Sequence, residues 1–415
     1  MLPFLSVKAV EMESQVRQVS YLLWRQPELS SQNPDNDFLE LYRYQARVEL
    51  RPDIKFIGTH YQLMLKPRLS YDYWWHKVGA AEESGDSQGD IYLNEGMIQF
   101  EITPDAFIVY GRENLQWGPS YLRTPSNPFF RDNGQDNPKK EIEGKDFFKV
   151  IYLPNDWFTM SIIGLLEPGG MKSETAPIET DFRRQNALKL DLLGVNYNAS
   201  LILSRQDGGN EFVGGHAQGT ATDAVLIYFD AAVYRGHTAL YPRLDSSHPL
   251  GGDFVRQYDN NTKQYFIGVT GISYTLENSA TLSLEYLYNG IGYNDSEAEA
   301  YYFLRQNAAD NIHSEFSDLA RANLGASLDP GLKLLRRHYL FFQYALNEMG
   351  EKLSYTLRWT INMDDHSDMF TLITEYAYND YLEFFVIGDV NQGSSNSEFT
   401  SLLRNDLMLG FEYTF

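Results

Sequence analysis

Hydrophobic and polar residues alternate one by one along most of the chain after residue 38. In 63–73, for example, leucines and tyrosines take every second position except that of Pro67, and Lys66, Arg68 and Asp72 lie between them. Successive side chains of a β-strand point to opposite faces, so this pattern predicts strands with one apolar and one polar face. The chain ends in the same way, at 407–415, with an aromatic residue in the last position. The pattern predicts an all-β protein.

The alternating segments predict about 16 strands, within a range of about 14 to 18. They are 42–50, 63–73, 91–102, 106–117, 147–155, 157–166, 186–198, 199–206, 224–235, 264–277, 282–289, 338–347, 353–362, 369–378, 382–390 and 406–415. Long loops are predicted at 76–90, 118–146, 167–185, 207–223, 236–263, 294–332 and 391–405, the sixth with a short helix. A closed antiparallel up-and-down barrel would leave none of these strands with an exposed edge.

The C-terminal strand resembles the signature that ends bacterial outer-membrane β-barrels. The residues that carry the resemblance are the apolar face Leu407, Leu409, Phe411, Tyr413 and Phe415. It implies a single transmembrane barrel in the outer membrane of a Gram-negative bacterium, with short periplasmic turns and long extracellular loops. It also implies lipid around the apolar face and delivery of the last strand to the barrel-assembly machinery.

Residues 1–37 are predicted to stand apart from a barrel formed by 38–415. The apolar positions Val16, Val19, Leu22 and Leu23 are closer to helical than to strand spacing. This segment is therefore expected to be a periplasmic helix, a plug or a disordered stretch.

Composition excludes several classes of protein. The 415 residues include no cysteine, so disulfide frameworks and thiolate metal sites are excluded. A net charge of -22 argues against a nucleic-acid partner. No apolar run is long enough to cross a membrane as a helix. The 29 Tyr and 25 Phe are enough for aromatic girdles at two membrane interfaces.

Several polar-face positions are basic despite the acidic total. These candidates for the lumen wall are Arg43, Arg47, Lys66, Arg68 and Arg358. A basic lining would favour anionic solutes or an acidic polymer. The alternative is a lattice of cross-strand salt bridges with acidic neighbours such as Glu49, Asp72 and Glu412, which would stiffen the wall. The sequence leaves both readings open.

A second candidate region is the strand and loop over 109–129. Its motif, Gly111-Arg112 followed by Trp117-Gly118 and an Asn127-Pro128 loop, resembles outer-membrane barrels of the alginate-export and capsule-associated kind. The resemblance implies an 18-strand barrel for saccharide export or surface attachment. It makes Arg112, Trp117 and Arg123 cargo contacts on a loop folded into the pore as a constriction. The alternative is that these residues only lock the barrel wall.

Trp74 and Trp75 close a predicted strand, and with Phe411, Tyr413 and Phe415 they are expected to lie at the membrane interface. A platform for stacking sugars is the other interpretation of the tryptophan pair. The eight histidines show no ligand spacing, and the polar run 364–368 is interpreted as a solvated turn. No enzyme activity, metal site or cofactor is predicted.

The function predicted from these features is a porin-like or exporting outer-membrane channel for anionic solutes or saccharides. Two alternatives remain. One is a barrel that sheathes a multihaem cytochrome in an electron-transfer conduit, and the other is a surface barrel that binds saccharide.

Overall fold

The computed structural model describes residues 10–28, 30–79, 85–167, 183–256, 263–349 and 352–415. They form one closed antiparallel barrel of eighteen strands. The strands are β1 (Glu11–Pro27), β2 (Tyr42–Ile57), β3 (Tyr61–Lys77), β4 (Gly85–Thr103), β5 (Ala106–Glu113), β6 (Lys145–Asn155), β7 (Phe158–Glu167), β8 (Gln185–Leu193), β9 (Tyr197–Gln206), β10 (Glu211–Thr222), β11 (Val225–Arg235), β14 (Gln264–Thr275), β15 (Thr281–Asn289), β16 (His338–Met349), β17 (Leu353–Asn362), β18 (Asp368–Ala377), β19 (Leu382–Gln392) and β20 (Leu403–Thr414). A hairpin of β12 (Leu240–Leu244) and β13 (Gly252–Arg256) lies in the segment between β11 and β14.

The barrel closes between its first and last strands. β1 pairs with β2 on one side and with β20 on the other, and the amide of Phe415 donates to the carbonyl of Val16 at 2.9 Å. The prediction that residues 1–37 form a separate helix or plug was therefore wrong for 11–27, and residues 1–9 lie outside the described chain. The alternation is weak there because the lumen-side residues Val19 and Leu23 are as apolar as the exposed Leu22.

Two of the eighteen strands were not among the predicted sixteen. One is β1, and the other is β10, which was expected to be part of a loop at 207–223. It pairs with β9 and β11 along its length. Its glycines carry no side chains, so the alternation cannot be read from the sequence. Gly214 also makes room for an inner loop, because a Cβ there would lie 3.1 Å from Cα of Ser126.

Short turns and long segments lie at opposite ends of the barrel. Two of the longest segments are 114–144 and 290–337, and the second contains the helices α1 (Asp295–Asp310) and α2 (Ser317–Leu328). The helix predicted within 294–332 is thus confirmed. Asn294 and Glu297 form a reciprocal capping box at the start of α1, which fixes where that helix begins. No helix in the described part of the chain is long and apolar enough to span a membrane.

The two faces of the wall have opposite chemistry. Large apolar side chains on the outside are exposed, and polar or charged side chains on the inside are buried. The exposed set includes Leu69, Tyr71, Ile91, Ile162, Leu201, Ile227, Phe229, Ile272, Leu284, Phe342, Trp359, Phe384 and Leu409. The buried inner set includes Glu49, Arg51, Arg68, Asp72, Lys149, Asp230, Glu285 and Thr371. A barrel surrounded by lipid has this arrangement.

Candidate functional site: the lumen and the loop that crosses it

The segment 114–144, here called the lumen loop, leaves the wall after β5 and runs through the interior before β6 begins. Its first part packs on itself: Nε1 of Trp117 donates to the carbonyl of Ser126 at 3.1 Å. Phe129 then packs edge-on against Phe147 of β6 with ring centroids 5.1 Å apart. The lumen loop touches the wall at three further places, on separate groups of strands.

The first anchor is on β10, β11 and β15. Asp230 accepts from both the amide and the hydroxyl of Ser126, at 2.7 and 3.1 Å. Glu285 accepts from the amides of Tyr121 and Leu122, at 2.7 and 3.0 Å. Both acids are fully buried, so these charge-assisted hydrogen bonds hold the loop firmly against the wall.

The first anchor also brings together a serine, a histidine and an aspartate. The hydroxyl of Ser126 lies 3.1 Å from Nδ1 of His216 as well as from Asp230. Ser126 is completely buried, and the aspartate contacts the serine rather than orienting the histidine. The cluster therefore holds the loop and does not have the geometry of a catalytic triad.

The second anchor is on β17 to β20. Nη1 of Arg358 donates to the carbonyls of Gln135 and Asp136. Nζ of Lys139 lies 2.9 Å from Glu375, 2.5 Å from Glu383 and 3.6 Å from Glu412. One lysine of the loop thus joins three neighbouring strands.

The third anchor is on β1 to β3. Glu141 lies 2.6 Å from Nε of Arg68, 3.7 Å from Arg17 and 4.0 Å from Arg51. Burial raises the pKa of Glu141, but the hydrogen bond from Arg68 and the charges of Arg51 and Arg17 outweigh burial, so the pKa lies below its ordinary value. The carboxylate is therefore the stable form, and it holds the loop against the wall.

Three of the predicted basic residues lie on the inner wall beside acids. Arg47 lies 3.5 Å from Asp72, and Lys66 lies 2.7 Å from Glu95. Arg68 is paired with Asp53 as well as with Glu141. Arg43 also faces the interior, and the described residues hold no ion-pair partner for it. Most of the predicted basic lining thus takes part in a salt-bridge lattice, and whether Arg43 contacts solutes stays a prediction.

Arg112 was predicted as a lumen or cargo residue, but the structure places it on the outer face. It shares that face of β5 with Tyr110, which is exposed to the outside. Its guanidinium pairs with Asp146 of β6 at 2.8 Å and with Glu143 at 3.6 Å, near the long-loop end of the strand. The prediction assumed that the loop motif continued into the pore from this position, whereas the turn inward begins after Glu113.

Trp117 and Arg123 do lie inside, on the lumen loop. Nζ of Lys189 sits over the Trp117 ring at 5.5 Å. Arg123 is buried beside a cavity of about 360 Å³ between the loop and strands β8 to β11. Burial lowers the pKa of Arg123. Whether either residue contacts cargo stays a prediction.

The aromatic residues predicted at the membrane interface are divided between the two faces. Trp75 is on the outside and stacks on Tyr44 and Tyr73, at 5.4 and 5.6 Å between centroids. Trp74 is on the opposite face of β3, with Asp72. The C-terminal residues Phe411, Tyr413 and Phe415 share the outward face.

Sequence reasoning placed Arg68 and Arg358 on the inner wall, but it missed the loop residues that contact the wall. Lys139 and Glu141 lie in a predicted loop, where neither alternation nor a motif distinguishes them from solvated charges. Asp230 interrupts the apolar run of β11, and that single acid in a strand was the available signal.

Comparison with known proteins supports the fold. No protein-family model matches the chain, and no curated protein matches it in sequence. Among solved structures, OccAB1 of Acinetobacter baumannii has a TM-score of 0.58 at 10% identity, covering 99% of this chain and 97% of that one. OccK7 (OpdD) of Pseudomonas aeruginosa has a TM-score of 0.56 at 8% identity, covering 98% and 99%. Both are outer-membrane porins, so the resemblance to alginate-export and capsule-associated barrels is not confirmed. The chain has the eighteen-stranded fold seen in the Occ porins.

Proposed function

We propose that the protein is a channel in the outer membrane of a Gram-negative bacterium, and that it passes small anionic solutes past the lumen loop. The observation that carries the proposal is the inverted wall, apolar and exposed outside, charged and buried inside. Lipid is the solvent that such an outer face requires. The Occ porins that share the fold support the same function.

The lumen loop leaves two cavities of opposite charge. The lining of the cavity of about 360 Å³ beside Arg123 includes the cations Arg123, Arg131, Lys145, Arg183 and Arg256. A second cavity of about 400 Å³ lies between the loop and strands β1, β19 and β20, and Asp389 and Asp406 line it as direct cross-strand partners. Small anions are proposed to follow the first side, where arginine and lysine favour their entry.

The lumen loop also bears on the alternative functions. Its anchors reach β2, β11, β15 and β20, so it occupies the space that a sheathed cytochrome would need. This argues against the sheath. Saccharides without charge gain nothing from the cations at Arg123, so small acidic sugars are the saccharides that fit the proposal.

The experiment is single-channel recording of the purified protein in a planar bilayer under a salt gradient. Steady conductance with a reversal potential on the anion-selective side is expected. Absence of conductance by a barrel shown to be folded would contradict the channel. Cation-selective conductance would instead place the path through the cavity at Asp389 and Asp406 and would contradict the anionic cargo.

A further inference from the structure

A band of polar side chains follows the outer face of the barrel at the long-segment end of β9, β10, β11 and β14. Its members are direct cross-strand partners, in the order Arg205, Glu211, Arg235 and Gln264. The next row of outward side chains, towards the middle of the same strands, is apolar and exposed, and consists of Leu203, Val213, Val233 and Phe266. The band therefore lies where the apolar outer wall ends.

Two cations of this rim have no acidic partner in the described part of the chain. One is Arg205, and the other is Lys263, directly before β14, whose Nζ lies 5.0 Å from the centre of the Tyr265 ring. Elsewhere on the outer rim, Arg112 is paired with Asp146 at 2.8 Å. Arg205 and Lys263 are both exposed, so in a chain with a net charge of -22 they are placed to receive an anion from outside the chain.

A cavity of about 250 Å³ opens at this rim beside Lys263. Lys263 and Arg337 line it on the side of the long segments, and Phe266 and Tyr288 line it on the side of the apolar wall. The side chain of Arg337 is 32% exposed and lies 3.6 Å from Glu297, which the capping box of α1 also uses. The cavity therefore combines two accessible cations with an aromatic wall.

The aromatic wall continues from the cavity onto the outer face of the barrel. The rings of Phe266 and Tyr288 stack with centroids 6.2 Å apart, and Tyr288 is followed by His338 at 5.3 Å. Gly268 lets the Phe266 ring lie along the wall, because a Cβ there would be 2.6 Å from that ring. Aromatic side chains of this kind lie at the headgroup level of a bilayer, so the cavity is at the height of lipid headgroups.

We propose that this rim cavity binds the phosphorylated headgroup of an anionic membrane lipid, with the phosphate on Lys263 and Arg337 and the acyl chains along Phe266 and Tyr288. Arginine and lysine both bind phosphate, the first through two parallel hydrogen bonds and the second as a point charge. A lipid fits better than free phosphate, because the cations adjoin a wall that is apolar and faces outward. The site lies outside the lumen and goes beyond the proposed channel function.

The experiment is native mass spectrometry of the barrel in neutral detergent, titrated with phosphatidylglycerol or with phosphatidylcholine of the same acyl chains. Phosphatidylglycerol is expected to bind more tightly, since choline offsets the charge of the phosphate. The double variant Lys263→Gln/Arg337→Gln should weaken phosphatidylglycerol by about tenfold or more and leave phosphatidylcholine unchanged, because it removes two cations beside an anionic headgroup. The matched control is Arg243→Gln/Lys352→Gln, which removes two exposed cations from the β12–β13 hairpin and from a turn at the other end of the barrel.

Equal affinity for the two lipids would overturn the proposal, as would a double variant that binds phosphatidylglycerol as well as the control does. Displacement of the lipid by an equal concentration of inorganic phosphate would show a simple anion site and would also overturn it. Arg337 donates from Nε to the carbonyl of Gly292, so if the double variant does not fold, the exposed Lys263→Gln alone should weaken phosphatidylglycerol by about threefold or more. Single-channel conductance should be the same in all variants, so failure of the lipid site and failure of the channel are separate results.

Discussion

Glu141 of the lumen loop accepts a hydrogen bond of 2.6 Å from Nε of Arg68, whose side chain is completely buried in the barrel wall. Nη2 of the same guanidinium donates to Glu141 and to Asp53, at 3.0 Å each. The loop thus supplies part of the counter-charge that a wall residue needs. A substitution in the loop should therefore change both the free energy of unfolding and the width of the pore.

Glu141→Gln is expected to lower the free energy of unfolding by about 1–3 kcal/mol, because Arg68 loses part of its buried counter-charge while Asp53 remains. The freed loop should also give a larger and noisier single-channel conductance. The control is Glu13→Gln, whose pair with Lys55 is exposed and contributes about 0–1 kcal/mol. Stability and conductance equal to those of the control would contradict the anchoring role of Glu141.

Lys139→Met is expected to have a larger effect on the same loop. It leaves Glu375, Glu383 and Glu412 close together without their shared cation, at a cost of about 2–3 kcal/mol in the free energy of unfolding at pH 7. Lys139→Arg keeps the charge and should stay close to wild type. A Lys139→Arg variant that loses as much stability as Lys139→Met would point to packing rather than charge.

Alternation predicted the barrel because lipid outside and polar groups inside impose a period of two on each strand. It failed where that contrast disappears. In β1, Val19 packs inward against Phe385 and Ile387, and in β10 the glycines have no side chains to alternate. The path of the lumen loop through the barrel interior could not be predicted either. Lys139 contacts residues of three strands that lie more than 200 positions further along the chain. A single sequence contains no signal for contacts at such a separation.

Arg43→Glu tests the charge of the inner wall. Arg43 faces the interior without an ion-pair partner among the described residues, so its reversal should not break the lattice around Arg47 and Asp72. We expect the anion-to-cation permeability ratio to fall by about twofold or more, with stability within about 0.5 kcal/mol of wild type. Arg243→Glu reverses a charge outside the barrel and should leave the ratio unchanged. Equal ratios for both variants would contradict a role for Arg43 in selectivity.

Glu398 joins the segments 290–337 and 393–402 and is expected to make their contact sensitive to pH. Its carboxylate accepts from the amide of Leu335, the hydroxyl of Tyr339 and the side chain of Asn362. Burial outweighs these donors and raises its pKa to about 7 from an ordinary 4.5. The folded state therefore binds the proton more tightly than the unfolded state, so stability is lost as the pH rises from about 4.5 to about 7.

Limited proteolysis of the 393–402 segment measures this effect. Cleavage should be up to about tenfold faster at pH 8 than at pH 5, after correction for protease activity on an unfolded substrate. Glu398→Gln cannot ionise and should make the rate nearly independent of pH. Glu28→Gln, which removes a carboxylate paired with Arg404 at the end of the same segment, should keep the pH dependence. A Glu398→Gln profile identical to wild type would exclude Glu398 as the titrating group.

Leu284→Arg tests which face meets the membrane. Leu284 lies midway along β15 and is 39% exposed on the outer face. In lipid, arginine at this depth should lower the free energy of unfolding by about 2–4 kcal/mol, because the charge must be placed in hydrocarbon. Val195→Arg, in the fully exposed turn between β8 and β9, should cost about 0–1 kcal/mol. Both are measured by denaturant titration of the barrel in lipid vesicles. If Leu284→Arg costs no more than Val195→Arg, the outer face does not lie in hydrocarbon, and the inverted wall would need another explanation.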